Sequence, residues 1–199
     1  PYGRGHSRSV SVNKILDNVN EALQNNFKEI VLTGVDLTSW GKELSVEEYS
    51  LGFLVKKILN EFKTLPRLRV SSIDPAEIDY ELMEVLENDH RFMPHLHLSI
   101  QHGDDLILKR MKRRHLFRDV INLVNEARRR RPEITFGADI ISGFPTETVQ
   151  AHRNTLKLIK EANECGASAI KLQTYTAESM TIDCDNKEFR ITDGLWKGY

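Results

Sequence analysis

Residues 137–148, GADIISGFPTET, contain residue types that commonly form a ligand site at the end of a strand. The apolar run 134–141 predicts a buried strand, which stops at a serine followed by Gly143. Pro145 blocks further strand pairing, and the threonine and glutamate after it favour the start of a helix. Glycine lets the backbone approach a ligand closely, and a helix start offers unpaired N–H groups. We therefore expect this loop to line a ligand site.

The other predicted strands also end in polar or small residues. With the first loop included, the ends are Thr33-Gly34, Ser71-Ser72, Ser99 to Gln101, Asp139 to Ser142 and Gln173 to Tyr175. In a barrel of parallel strands, binding and catalytic groups lie at this carboxyl edge. Each end alone is also explained as an ordinary strand terminator, but the five together favour a site.

Helical and strand patterns alternate along the chain. The predicted strands are 30–33, 68–73, 95–101, 134–141 and 169–175, and stripes of apolar residues between them predict helices. Ser50 and Asp79 stand where helix caps are expected, and Asp104 and Asp105 are expected to begin a short helix as acidic residues of its first turn. This order is typical of an α/β fold with parallel strands, either an open sheet or an incomplete (β/α) barrel. The polar strand ends favour the barrel.

The composition is that of an ordinary globular domain. Of 199 residues, 40% are hydrophobic and 29% are charged, and the net charge of −1 argues against general coating of nucleic acid. No apolar run approaches 18 residues, so we expect a soluble, cytoplasmic protein without membrane contact. The two cysteines, Cys165 and Cys184, have no metal-ligand spacing and form no disulfide framework. The histidines share no metal spacing either, so no metal ligand is predicted.

Several stretches resemble one enzyme family. They are PYGRGHSRS, KEIVLTGVDLTSWG, RLRVSSIDPAEID, PHLHLSIQHGDDLILKRMKRRH and FGADIISGFPTET, all within about residues 1–150. They resemble the radical-SAM tRNA methylthiotransferases. VLTGVDLTSWG and RVSSIDPAEID favour the branch that acts on N6-threonylcarbamoyladenosine over those acting on isopentenyladenosine or a ribosomal protein. The resemblance implies a partial (β/α) barrel that holds S-adenosylmethionine over a 4Fe-4S cluster, with tRNA as partner.

The resemblance also implies positions for cofactor-binding residues at the strand ends. The amino-acid end of S-adenosylmethionine would meet the first loop. The third strand would face the ribose and the reaction centre. The adenine would lie along the loop after the fourth strand. The residues concerned are, in that order, Thr33, Gly34, Val35 and Asp36; Ser99 and Gln101; and Asp139, Ser142 and Gly143.

The cluster ligands of that family do not occur in this sequence. The family binds its cluster through Cys-x3-Cys-x2-Cys immediately before the residues that match Pro1 and Tyr2, and no cysteine here precedes Cys165. We therefore expect the first barrel strand, an N-terminal domain and an RNA-binding domain to be absent. We assign no catalytic residue and expect no methylthiolation by this chain alone.

Basic residues form two groups that resemble tRNA-contacting segments. Those expected to contact tRNA phosphates are Lys109, Arg110, Lys112, Arg113 and Arg114. The alternative is a solvated helix face, and for Arg128 to Arg131 we prefer that alternative because cations are favourable at a helix C-terminus.

Residues 154–199 resemble the N-terminal part of sialic-acid (nonulosonate) synthases, with KLQTYT as the specific core. In those enzymes Lys171 and Gln173 would approach the phosphate of phosphoenolpyruvate; the alternative for Lys171 is a surface strand lysine. We therefore expect a partial radical-SAM core at 1–153 and a foreign segment at 154–199. An assembly artefact is our preferred explanation, over natural recombination or a deliberate fusion. Two alternative functions remain: a sialic- or pseudaminic-acid synthase fragment, and a non-catalytic remnant that binds cofactor or tRNA.

Overall fold

The computed structural model describes residues 6–44, 49–144 and 146–164, with side chains up to residue 160. Contacts group the chain into two units, Pro1–Leu158 and Ile159–Tyr199; of the second, only the end of the last helix is described. The helices are α1 (Val12–Gln24), α2 (Leu51–Glu61), α3 (Tyr80–Asn88), α4 (Asp105–Arg110), α5 (Phe117–Arg130) and α6 (Val149–Glu164). The strands are β1 (Glu29–Leu32), β2 (Arg67–Val70), β3 (His95–Gln101) and β4 (Thr135–Ile140). Short 3₁₀ turns cover Leu37–Ser39 and Pro75–Glu77.

The four strands lie side by side in chain order, and every pairing is parallel. β1 pairs with β2 and β3 pairs with β4, while single bridges from Leu68 to Phe92 and from Ile73 to Leu98 join the two halves. The helices between consecutive strands supply the crossovers that parallel pairing requires. The parallel α/β order expected from the sequence is therefore confirmed for the described residues.

One strand is shorter than its apolar pattern suggests. The pattern predicts a strand over 68–73, but β2 ends at Val70 because the chain there changes partner. The Ser71 N–H still bonds the Leu32 carbonyl of β1, whereas Ile73 exchanges hydrogen bonds with His97 and Ser99 of β3. This change of partner marks where β2 ends and the loop that follows it begins. The strand predicted at 169–175 lies outside the described residues.

The sheet has one apolar and one polar face. The apolar face packs against α1, α2, α3 and α5 through a core whose fully buried members include Leu54, Val55, Ile58, Leu68, Leu86, Phe92, Leu96 and Leu98. The open face carries charged pairs instead: Glu29 of β1 accepts hydrogen bonds from Arg67 at 2.7 Å and from Arg69 at 3.0 Å, both on β2. Alternating side chains along each strand produce this separation, as β3 shows with buried leucines between half-buried histidines.

Hydrogen bonds confirm the predicted caps Ser50 and Asp79, and they show that Asp104 is a cap as well. Ser50 accepts the Phe53 N–H at 3.0 Å, and Asp104 accepts the N–H groups of both Leu106 and Ile107. Asp79 caps α3 through the Leu82 N–H at 2.8 Å. A capping side chain satisfies N–H groups that have no partner within the helix, so these three residues fix where the helices begin.

Arg131 is an internal support rather than a surface cation. Its side chain is one-tenth exposed, and Nη1 donates to the carbonyls of Leu86, Asp89 and Phe92 at 3.0, 3.1 and 2.7 Å. Nε pairs with Glu133 at 2.9 Å. The guanidinium thus holds the segment between α3 and β3 against the end of α5, because buried carbonyls need donors.

Candidate functional site

The carboxyl ends of β2 and β3 are joined by a guanidinium. Arg113 Nη2 lies 3.2 Å from Asp74 Oδ2 and 3.1 Å from the Ser99 carbonyl oxygen. Asp74 is well placed for this because it also starts the Pro75–Glu77 turn, where its carboxylate accepts the Ala76 N–H at 3.0 Å. Ser99, expected near a ribose, is therefore held next to the loop that follows β2.

A second arginine connects the loop after β1 to the same place. Arg114 pairs with Asp36 at 3.7 Å, with Asp74 at 3.9 Å and with Glu77 through a short hydrogen bond. Asp36 in turn accepts the Ser39 hydroxyl at 2.6 Å. The predicted first loop therefore reaches the others through Asp36, while Thr33, Gly34 and Val35, which are exposed as Asp36 is, take no part in these ion pairs.

The ends of β3 and β4 meet at a bulge. β3 carries an extra residue between Leu98 and Gln101, and Gln101 adopts a left-handed φ of 70°. Its carbonyl oxygen accepts the Ile141 N–H at 2.7 Å. Bulges re-aim side chains at the ends of strands, so Gln101 is turned out of the regular alternation at the predicted site.

Asp139 lies on the open face, opposite a histidine of β3. Its carboxylate is 3.2 Å from His97 Nε2 and is more than half exposed. Gly137 makes this pair possible, because a Cβ at that position would lie only 2.5 Å from His97 Nδ1. Of the four sequence-predicted strand ends that are described, all lie at one edge of the sheet, while Gln173 belongs to the part outside the description.

The loop after β4 is exposed to solvent, and hydrogen bonds with Glu147 and His152 hold it in place. Gly143 has φ of 82° and no atom within 4 Å of its Cβ position, so the turn faces open space. The Glu147 carboxylate accepts the N–H groups of Gly143 at 2.5 Å and Phe144 at 3.1 Å. The Ser142 hydroxyl lies 2.9 Å from His152 Nδ1. A turn with an exposed outer surface and fixed inner contacts suits close approach of a planar ligand.

The predicted RNA-contacting residues divide into two kinds. Arg113 and Arg114 form the ion pairs described above, and Arg110 donates to the Thr146 carbonyl and hydroxyl oxygens at 3.0 and 2.9 Å. Lys109 and Lys112 are exposed on and after α4. In the second basic group, Arg129 and Arg130 pair with Glu126.

The donor atoms here do not fit an iron–sulfur cluster. Such clusters are bound by cysteine thiolates, and the sequence has only Cys165 and Cys184, both outside the described residues. In the described part of the chain, no group of three or more His, Cys, Asp or Glu residues is close enough to hold a metal ion. Within the same residues, no helix is long and apolar enough to cross a membrane.

Comparison with known families gives a match over most of the chain. The model of the Radical SAM superfamily matches residues 1–159. The chain belongs to the Radical SAM superfamily. Its α/β fold of parallel strands is therefore of the radical-SAM type, as the sequence motifs predicted. The implied cofactors of the family, S-adenosylmethionine and a 4Fe-4S cluster, agree with this membership.

Similar curated proteins are tRNA methylthiotransferases. The threonylcarbamoyladenosine tRNA methylthiotransferase MtaB of Rickettsia prowazekii is 49% identical over 81% of this chain and 38% of its own length. The tRNA-2-methylthio-N(6)-dimethylallyladenosine synthase of Halalkalibacterium halodurans is 35% identical over 81% of the chain and 30% of its length. The MtaB of Bacillus subtilis aligns with the whole chain at 27% identity. The chain thus spans less than half the length of these relatives.

A solved structure shares the fold. The radical S-adenosylmethionine methyltransferase TsrM of Kitasatospora setae, solved with cobalamin and a [4Fe-4S] cluster, superposes with a TM-score of 0.58 at 16% identity. The alignment covers 77% of this chain and 27% of that chain. These comparisons give no support to the synthase resemblance of residues 154–199, whose residues Lys171 and Gln173 lie outside the described structure.

Sequence reasoning did not single out several residues that form the site. Asp74 and Glu77 carry the carboxylates between the first and third loops, and His102 and Glu147 hold the fourth. Asp74 had a recognisable signal, an aspartate before proline directly after a strand, which is typical of a turn start. His102 had none, because its side-chain partners Glu147 and Thr155 lie 45 and 53 residues away in sequence.

Proposed function

We propose that this chain forms the cofactor-facing part of a radical-SAM tRNA methylthiotransferase whose substrate is N6-threonylcarbamoyladenosine in tRNA. The observation that carries the proposal is the convergence of four strand ends on one edge, where Arg113 and Arg114 join the first three and a backbone hydrogen bond from Ile141 to Gln101 joins the fourth. The 49% identity to a protein named for that substrate supports the branch.

Each predicted cofactor contact has a chemical basis. Asp36 offers a carboxylate to an ammonium group, and the polar groups of Ser99 and Gln101 offer partners to ribose hydroxyls. The open backbone at Ser142 and Gly143 suits the flat face of an adenine. Asp139 would stand beside that turn, with His97 fixing its carboxylate at 3.2 Å.

For tRNA, the two exposed lysines are the best-placed members of the predicted set. Lys109 and Lys112 have side chains directed to solvent, whereas the neighbouring arginines already have acceptors. Phosphate contacts by such lysines contribute affinity through counterion release, without reading sequence. A soluble cytoplasmic location fits a tRNA substrate.

We also propose that these 199 residues do not assemble the cluster alone, since the thiolate donors for it are lacking. The test is anaerobic reconstitution of the chain with iron and sulfide. We expect no stable charge-transfer absorbance after desalting and no methylthiolation of tRNA. A stoichiometric, stable cluster would contradict this part of the proposal.

A synthase-like role for residues 154–199, with Lys171 and Gln173 binding a phosphate, stays a prediction carried by the KLQTYT pattern alone. The same holds for the division at residue 153 and for a chimeric origin. Uninterrupted DNA reads across codons 145–165 would exclude an assembly artefact.

A further inference from the structure

His102 is fully buried where β3 passes into α4, and its two ring nitrogens have different partners. Nδ1 accepts the Asp104 N–H at 2.9 Å, so this nitrogen carries no proton. The proton of the neutral ring is then on Nε2, which lies 3.1 Å from Glu147 Oε1 and 3.2 Å from Thr155 Oγ1. The imidazole therefore donates towards Glu147 in a defined tautomer.

Glu147 transmits this contact to the loop after β4. Its side chain is only 5% exposed, and its second oxygen accepts the N–H groups of Gly143 and Phe144. Burial disfavours the charged form, but the hydrogen bonds from His102 and Gly143 outweigh burial and lower the pKa of Glu147. The carboxylate is thus charged at neutral pH and holds two consecutive backbone groups.

The loop needs such support because its backbone is unusual. Gly143 has φ of 82°, and Thr146 has φ of 73°, a left-handed value that threonine adopts only at an energetic cost. Arg110 adds a contact from α4 by donating to the Thr146 carbonyl oxygen. All the fixed contacts lie on the inner side, whereas the outer side of Gly143 is open.

We propose that His102 and Glu147 are positioning residues that fix the Gly143–Phe144 backbone for binding the adenosine part of the cofactor. The proposal rests on the proposed function, in which this turn faces adenine. A loop already held in its bound conformation loses less entropy on binding, so the pair raises affinity without touching the nucleoside. His102 follows β3 and Glu147 follows β4, so the loops after these two strands act together in binding the cofactor.

The two nitrogens of His102 allow a matched pair of substitutions. In His102→Gln the side-chain amide nitrogen takes the place of Nε2 and still donates to Glu147. In His102→Asn the amide oxygen takes the place of Nδ1, accepts the Asp104 N–H and leaves Glu147 without its donor. Glu147→Gln is nearly isosteric and removes the charge, and Gln150→Ala on the exposed side of α6 serves as control.

The experiment measures two quantities on the full, cluster-free chain. Hydrogen exchange reports the protection of the Gly143 and Phe144 amides, and calorimetry reports the dissociation constant for S-adenosylhomocysteine. We expect His102→Asn and Glu147→Gln to raise both exchange rate and dissociation constant about tenfold, since each removes a charge-assisted hydrogen bond. His102→Gln and Gln150→Ala should stay within about threefold of the unmodified chain.

Three results would overturn the proposal, and they differ in what they say about the cofactor site. Faster exchange with unchanged affinity would leave the site intact and remove the positioning role. Equal losses in His102→Gln and His102→Asn would show that ring packing matters, not the hydrogen bond. If the unmodified chain with protected amides bound no S-adenosylhomocysteine, the assignment of adenine to this turn would fail as well.

Discussion

Arg113 places its Nη2 atom 3.2 Å from the Asp74 carboxylate, across 39 residues of sequence. The same nitrogen reaches the Ser99 carbonyl oxygen, so one side chain joins the ends of two parallel strands. Backbone hydrogen bonds between Ile73 and β3 already hold these strand ends together, and the guanidinium adds a side-chain link at the same place. Ion pairs therefore add to the backbone contacts that join the strand ends at this edge of the sheet.

Removing this guanidinium should separate the two loops. We expect Arg113→Met to destabilise the chain by about 2 kcal/mol, because the Asp74 carboxylate is mostly buried and loses a charged partner. Denaturant unfolding measures the change. Arg118→Met, at an exposed position in the first turn of α5, is the matched control and should change stability by less than about 0.5 kcal/mol. Equal effects of the two substitutions would show that the ion pair contributes little.

Arg131 should be among the most sensitive positions in the chain. Arg131→Gln leaves buried carbonyls of Leu86, Asp89 and Phe92 without their donor, and we expect a loss of about 3 kcal/mol in unfolding free energy. Arg129→Gln removes a largely exposed helix pair, which solvent screens, and should leave stability nearly unchanged. A small effect at Arg131, measured by urea titration, would mean that the carbonyls find other partners.

Gly52 lies inside α2, where α3 approaches closely. A Cβ there would lie 2.1 Å from Asp79 Oδ1 and 2.3 Å from the Leu82 nitrogen, so Gly52→Ala should destabilise by about 2 kcal/mol despite the better helix propensity of alanine. At Gly34 the nearest atom is 3.6 Å away, and Gly34→Ala should be close to neutral. Thermal unfolding of the two variants measures both effects. A Gly52→Ala variant more stable than the unmodified chain would contradict the close approach of α3.

The local signals in the sequence predicted the fold better than the site. Ser50 and Asp79 were recognisable as caps because a cap acts within three residues, and the alternation of β3 identified its bounds as 95–101. Gly52 shows where local signals fail. Nothing near it in sequence explains a glycine inside a helix; the explanation is the close approach of α3. The ion pairs of Arg113 and Arg114 and the His102–Glu147 contact join residues at least 37 positions apart, which no periodicity reveals.

His95 should titrate below the ordinary histidine range. Burial, and the nearby charges of Arg69 and His97, lower its pKa. The unfolded chain therefore binds this proton at a higher pH than the folded chain does. The contribution of His95 to stability consequently falls as the pH drops from the ordinary histidine pKa through the lowered pKa of the folded chain. NMR titration measures the pKa directly. In Arg69→Gln the pKa should rise but remain below the ordinary value, because burial is the larger cause; no rise would exclude a charge effect.

Lys109 and Lys112 should control tRNA affinity without affecting the fold. Each lysine that contacts a phosphate releases counterions, so its replacement by glutamine should flatten the plot of log affinity against log salt by roughly one unit. Filter binding between about 50 and 200 mM salt measures the slope. Lys63→Gln, on the segment after α2, is the control. An unchanged slope in the double variant would remove these lysines from the proposed interface.

The nucleoside content of tRNA tests the proposed substrate most directly. The gene that encodes this chain is deleted in its own organism, and digested tRNA is analysed by mass spectrometry. We predict that 2-methylthio-N6-threonylcarbamoyladenosine disappears, that N6-threonylcarbamoyladenosine accumulates, and that methylthiolated isopentenyladenosine is unchanged. Unaltered levels of the methylthiolated threonylcarbamoyl nucleoside would contradict the assignment of this chain to that reaction.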